Sequence, residues 1–316
     1  MRNSRLDGLR FLTALYVVIH HCLDKYVVDS VWTLPLRLGQ IAVLVFFVLS
    51  GYFMHLSLEK KRNLRFLKYI RKRLLRIYPI YITAIFLPVL LALVFNTWDL
   101  LSVPFSIKTI LGNLLFFQDL GRYPNVQFTT WYNAPLWSLS YEMFFYIAHF
   151  GLMRFQNYRF FEVLIIGSLI SFLIYPNKLA MNGIYFIFYY IGILLARNNS
   201  YQVYLAGLFL PVIGFALMWR LGGLNTDYLI LHWIAAPVLL FVFMLTRKFH
   251  SYKWLSCLSS GGMISYGIYA FHFPLMINIA ELLNMEWSLL LFLIGTILTI
   301  GLSWLMEVKL HEYIKK

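Results

Sequence analysis

Long apolar runs recur along this chain, and they restrict it to folds in which lipid is the solvent. A helix of roughly 17–25 apolar residues matches the hydrocarbon thickness of a bilayer. Ten such runs fall near residues 9–23, 39–58, 76–96, 135–153, 161–176, 180–197, 202–219, 227–246, 262–283 and 287–306. Backbone N–H and C=O groups find no water at that depth, so each run must satisfy them within itself, as a helix does. The expected fold is therefore all-α, a polytopic membrane helix bundle of about ten transmembrane helices. Composition agrees: 61% of residues are hydrophobic and 13% charged, where soluble domains carry about 25% charged. A cytosolic globular enzyme, a disordered chain and a small secreted disulfide scaffold are thereby excluded. Cys22 and Cys257 fall in or beside apolar runs, so no disulfide framework is expected.

The formal charge of +14 would suggest a nucleic-acid partner in a soluble protein. Here the basic residues sit between apolar runs, where they orient spans, and no nucleic-acid partner is expected. With the N-terminus inside and ten alternating spans, 21 of the 27 Lys and Arg residues fall on the inner side. Both termini are accordingly expected in the cytoplasm of a multi-pass protein of the inner or plasma membrane. The first run follows Arg2, Arg5 and Arg10 but continues into His20-His21-Cys22 without a small-residue cleavage site, so it reads as a retained signal anchor. No repeat or separate soluble domain is visible, and residues 1–316 read as a single integral-membrane domain. The basic segment 59–76 carries Leu64, Leu67 and Ile70 at helical spacing. It reads as an interfacial helix, with a strong positive-inside anchor as the alternative. In the longest connection, 97–134, the stretch Ile107–Phe117 is too short to span and is expected to lie on the surface or re-enter.

Ionisable groups at membrane depth are costly and mark pathways or reactions. On the first run Arg10 and His21 stand 11 residues apart, about 20° beyond three full turns, so they share a helix face about 16 Å apart. His20 points elsewhere. Such a face can hold an anion at its inner end and present a base at its outer end; a snorkelling Arg with an interfacial His is the plainer alternative. Glu142, in Trp137-Ser138-Leu139-Ser140-Tyr141-Glu142, falls at about the depth of His21. A carboxylate beside an imidazole fixes its tautomer and raises its basicity; capping a neighbouring helix or pairing with an Arg is the other reading. His272 lies mid-span as a second candidate imidazole, whereas His55 and His232 read as core or interfacial. Arg73 and Arg76 are neighbours on a helix face, and their forked guanidiniums suit phosphate. Ser50-Gly51 lets helices or a ligand approach closely. No phosphate loop, metal-binding pattern or nucleophile elbow is present.

Five motifs in order give the chain a family likeness: Arg5-Leu6-Asp7-Gly8-Leu9-Arg10 with His21; Val45-Phe46-Phe47-Val48-Leu49-Ser50-Gly51; Arg73-Leu74-Leu75-Arg76-Ile77-Tyr78-Pro79; Leu136 to Glu142; and Ser265-Tyr266-Gly267-Ile268-Tyr269 with His272. Together they resemble acyltransferase family 3, integral-membrane enzymes that acylate bacterial surface glycans. The resemblance implies an O-acyltransferase, acetyl by default, that uses cytoplasmic acetyl-CoA or another acyl-CoA as donor substrate and keeps no permanently bound cofactor or metal. The implied acceptor is a hydroxyl of an extracytoplasmic polysaccharide or a lipid-linked glycan at the cell surface. In that setting Arg10, Arg73 and Arg76 would bind acyl-CoA, and His21 with Glu142 would be catalytic. Ser50, Gly51, Trp137, Ser140, Tyr266 and His272 would line the substrate path, with membrane lipid around the bundle. A proton-coupled secondary transporter is the rival class, separable by acetyl-CoA binding to purified protein.

Overall fold

A computed structural model describes residues 4–26, 39–61, 64–96, 107–119, 133–155, 157–221, 233, 253–282 and 289–314. Every regular element among them is helical, as the apolar runs require. In chain order these are α1 (Ser4–Tyr26), α2 (Gly39–Glu59), α3 (Phe66–Val94), α4 (Ile107–Leu114), α5 (Trp137–Met153), α6 (Arg159–Ile174), α7 (Lys178–Ala196), α8 (Ser200–Leu221), α9 (Lys253–Cys257), α10 (Ser265–His272) and α11 (Leu289–Trp304). A single 3₁₀ turn, Ala134–Leu136, leads into α5. A π turn, Phe273–Asn278, carries α10 on to Ile279–Leu282, and a second, Leu305–Leu310, extends α11 to Ile314. Nine of the expected runs thus coincide with helices, and six helices are long and apolar enough to cross a membrane. The run 227–246 lies outside the described residues.

Two expectations for the connections meet the structure differently. Residues 66–76 do not form a separate surface helix: they are the first turns of the 29-residue α3, which continues through Pro79 and Pro88. The reason is local, since Phe66–Arg76 contains no Gly, Pro or capping residue to stop a helix before the apolar run. The Ile107–Phe117 stretch does form a short surface-lying helix, α4, with Ile107 and Leu111 exposed and Thr109, Gly112 and Asn113 buried. Its end is closed by bonds from Phe116 N to Asn113 O and from Phe117 N to Gly112 O. This closure puts Phe116 at φ 61°, a left-handed conformation that is costly for an aromatic residue. Stacking of its ring on Tyr81, 4.4 Å between centroids, holds it there. Tyr78 and Tyr81 also donate from α3 to the carbonyls of Leu114 and Asn113.

The helices assemble into two compact units. One comprises residues 1–42, 67–140 and 253–316, and the other residues 43–66 and 141–252. In the second unit α7 is enclosed on every side from Ala180 to Leu195, its start capped by the Asn177 side chain accepting from Ala180 N at 2.8 Å. Glycines set its contact with α2: a Cβ on Gly51 would strike the Tyr189 carbonyl, and one on Gly192 would strike that of Val48. Phe145, Phe161, Phe186 and Tyr189 pack edge and face around this crossing. Leu208, Phe215 and Trp219 of α8 point outward, as lipid-facing residues do.

In the first unit, prolines break the backbone ladders and one amide repairs two of the breaks. Pro88 in α3 and Pro274 after α10 have no N–H, so the carbonyls four residues earlier, Ala84 and Ala270, lose their helical donors. The fully buried Asn133 supplies both from its Nδ2, at 3.0 Å to Ala84 O and 2.9 Å to Ala270 O. A side-chain amide carries two N–H donors, so both carbonyls can be served at once. The kinks of α3 and α10 are thereby pinned to one point.

Candidate functional site

Polar side chains gather at two levels of α1 in the first unit. Toward its C-terminal end, His21 stacks on His272, with ring centroids 5.3 Å apart and planes 22° from parallel, and Phe273 meets its edge at 5.4 Å. His21 is half-buried and His272 fully buried. His20 does not leave this group: its ring lies 4.9 Å from that of His21, and its other side packs against Gly39, where a Cβ would collide with it. His272 Nδ1 lies 2.8 Å from the Tyr269 carbonyl and 3.1 Å from that of Ile268. A carbonyl can only accept, so the proton sits on Nδ1 and Nε2 keeps its lone pair. Nε2 is buried with no hydrogen-bond partner among the described residues. Beneath it, Tyr269 is fixed through its hydroxyl to Ser138 Oγ at 2.8 Å and to the Pro135 carbonyl.

Toward its N-terminal end, Arg10 acts electrostatically, as does Arg76, on the carboxylate of Glu307, and Glu307 Oε2 accepts from Gly267 N at 2.8 Å. That amide belongs to the first turn of α10, where backbone donors lack helical partners and favour an anion. Gly267 also lets α11 approach, since a Cβ there would press into Ser303. Arg73 lies over the Tyr69 ring at 5.9 Å, its Nε buried. Arg10 and Arg76 are therefore brought together; Arg73 takes its own position a turn away on α3. Glu307 was not foreseen. It lies in the π turn past the last apolar run, in a tail that also carries Lys309, His311 and Glu312, so no local pattern singles it out. Tyr266, half-buried, reaches the Ile77 carbonyl at 3.4 Å.

Glu142 belongs to the second unit. Its Oε1 accepts from Ser50 Oγ at 2.7 Å and from the Tyr146 hydroxyl, and Ser50 and Tyr146 lie 3.0 Å apart. Ser50 is thus a donor to a carboxylate, and Gly51 is spent on the contact with Tyr189. The serines of the Trp137–Glu142 motif divide: Ser138 reaches Tyr269, while Ser140 bonds back to the Trp137 carbonyl at 2.8 Å. Trp137 is half-buried at the start of α5. His55 and His149 form a buried stacked pair with centroids 5.7 Å apart, and His149 Nδ1 meets the Tyr189 hydroxyl at 2.9 Å. His55 is accordingly a core residue, as expected, while the neighbourhood of His232 lies outside the described residues.

Residues 3–308 match the family model described as an acyltransferase domain, Acyl_transf_3. The acyltransferase MdmB of Streptomyces mycarofaciens is 31% identical over 161 residues, covering 47% of this chain and 38% of that protein. The chain therefore spans well under half the length of that curated relative. No solved structure matches the chain. A helical chain matched across nearly its whole length by this model belongs to acyltransferase family 3.

Proposed function

We propose that the chain acts as one membrane domain of about ten spans with both termini in the cytoplasm, and that it is an O-acyltransferase of the inner membrane. It moves an acyl group, acetyl by default, from cytoplasmic acyl-CoA to a hydroxyl of an extracytoplasmic or lipid-linked glycan. The observation that carries this reading is on α1: His21 stacks on His272 at one end, and at the other Arg10, with Arg76, acts on the Glu307 carboxylate. Arg10, Arg73 and Arg76 hold the CoA phosphates, with Glu307 keeping the two nearest guanidiniums in place until the phosphates arrive. His21 takes the proton of the acceptor hydroxyl as its oxygen attacks the thioester carbonyl. The carbon–oxygen bond forms, the carbon–sulfur bond breaks, and the proton passes from the imidazolium to the departing thiolate, leaving ester and free CoA. His272, with its Nδ1 proton held by backbone, offers a fixed lone pair beside His21. Trp137, Ser140 and Tyr266 border the acceptor's route, while Glu142 is held by Ser50 and Tyr146 within the second unit.

General-base contributions are typically about 10²–10⁴-fold. His21→Ala is therefore expected to abolish detectable acylation of surface glycan, scored by mass spectrometry, while the protein stays at normal abundance in the membrane. Full acylation at normal abundance would overturn the reading.

A further inference from the structure

The second unit holds a cavity of about 580 Å³ that the acyl-transfer reading does not use. That volume falls within the range of roughly 300–1,000 Å³ common for ligand sites. It lies where the ends of α2 and α5 meet the start of α6. Lys61, Arg154 and Asn157 supply donors on its wall, and Leu58 and Phe150 supply apolar surface. Among the described lining residues there is no carboxylate, so the two cations are not matched by an acid of the cavity itself. Tyr158, also on the wall, is held rigidly: the Arg197 guanidinium lies 3.5 Å over its ring, and His55 meets it at 5.9 Å. The Lys/Arg asymmetry places these helix ends on the cytoplasmic side, where anionic lipid headgroups lie and where basic pockets between helices take them.

We propose that this cavity is a seat for an anionic phospholipid, its phosphate between Lys61 and Arg154 and the start of its chains along Leu58 and Phe150. The combination is what selects the class. Two cations and an amide at one wall suit a phosphate, and an apolar wall beside them suits the chain that follows it. A zwitterionic headgroup brings its own cation to Lys61 and Arg154 and is disfavoured. The inference stands apart from the acyl-transfer chemistry, and its test reads lipid rather than turnover.

Full-length protein in neutral detergent, offered phosphatidylglycerol and phosphatidylcholine together, is read by native mass spectrometry for retained lipid. The expected result is preferential retention of phosphatidylglycerol, reduced about ten-fold or more in the Lys61→Ala/Arg154→Ala double variant, with phosphatidylcholine unchanged. Equal retention by wild type and variant overturns the proposal. So does displacement of phosphatidylglycerol by millimolar inorganic phosphate, which would assign the seat to a soluble phosphate ligand. The two cations also sit near helix C-termini, where they interact favourably with the dipole. Should that be their whole role, the double variant melts lower by the same amount with and without phosphatidylglycerol, and this outcome likewise overturns the proposal.

Discussion

The two units solve the problem of a lipid-embedded interior in opposite ways. In residues 43–66 and 141–252, α7 is enclosed from Ala180 to Leu195 by an aromatic core, glycines bring backbones into contact, and Pro211 inside α8 is the one internal helix proline among the described residues. Most of its polar groups close on one another, Ser50 and Tyr146 on Glu142, Tyr189 on His149 and Tyr190 on Glu162, while His149 Nε2 keeps no partner among the described residues. In the other unit the helices are interrupted by Pro79, Pro88 and two π turns, and the polar groups are left with unused capacity. His272 Nε2 is the clearest case. Interrupted helices expose backbone donors and acceptors that a ladder would consume, and π turns often accompany functional sites for this reason. The difference is one of backbone regularity: π turns leave the first unit with donors and acceptors that an α-helical ladder would consume.

That contrast can be broken most directly at its histidines. His272→Gln is expected to lower acyl transfer by about 100-fold or more at normal membrane abundance. His149→Gln, in the regular unit, should leave transfer per folded molecule within a few-fold of wild type and lower the melting temperature instead. Equal losses of turnover in both variants would erase the distinction. Next comes Asn133→Asp, which keeps the shape and removes both N–H donors. Each buried carbonyl left unmade costs about 1–3 kcal/mol, so a large fall in melting temperature in detergent is expected. A variant as stable as wild type would show that the repaired kinks carry no weight. The smallest effect belongs to Gly51→Ala. Its added methyl must push α2 from α7, a strain of about 1–3 kcal/mol, read as lower thermal stability with acyl transfer per folded molecule retained.

Much of this was legible in the residues, and the remainder was hidden for physical reasons. Apolar run length located nine helices, because it depends only on spacing along one helix; helical phase alone did not anticipate that the His20 ring stays beside His21. The Ile107–Phe117 stretch was recognised as too short to span for the same reason. The continuation of α3 through the basic segment was read less well, since hydropathy falls there although helix propensity does not. Pairings between helices distant in sequence were the least accessible. His272 was visible as an intramembrane imidazole but not as the neighbour of His21, and Glu307 lay past the last apolar run. The role of Asn133 depends on Pro88 and Pro274 arriving at the same level, which no local pattern encodes.

A single amide that serves two broken ladders also acts as a mechanical linkage. If α10 were to straighten past Pro274, Ala270 O would withdraw from Nδ2, and the tether to Ala84 O would be strained with it. The bends in α3 and α10 are therefore geared to each other. Because α3 bears Arg76 and α10 bears His272, one side chain ties together the helices that carry both residues.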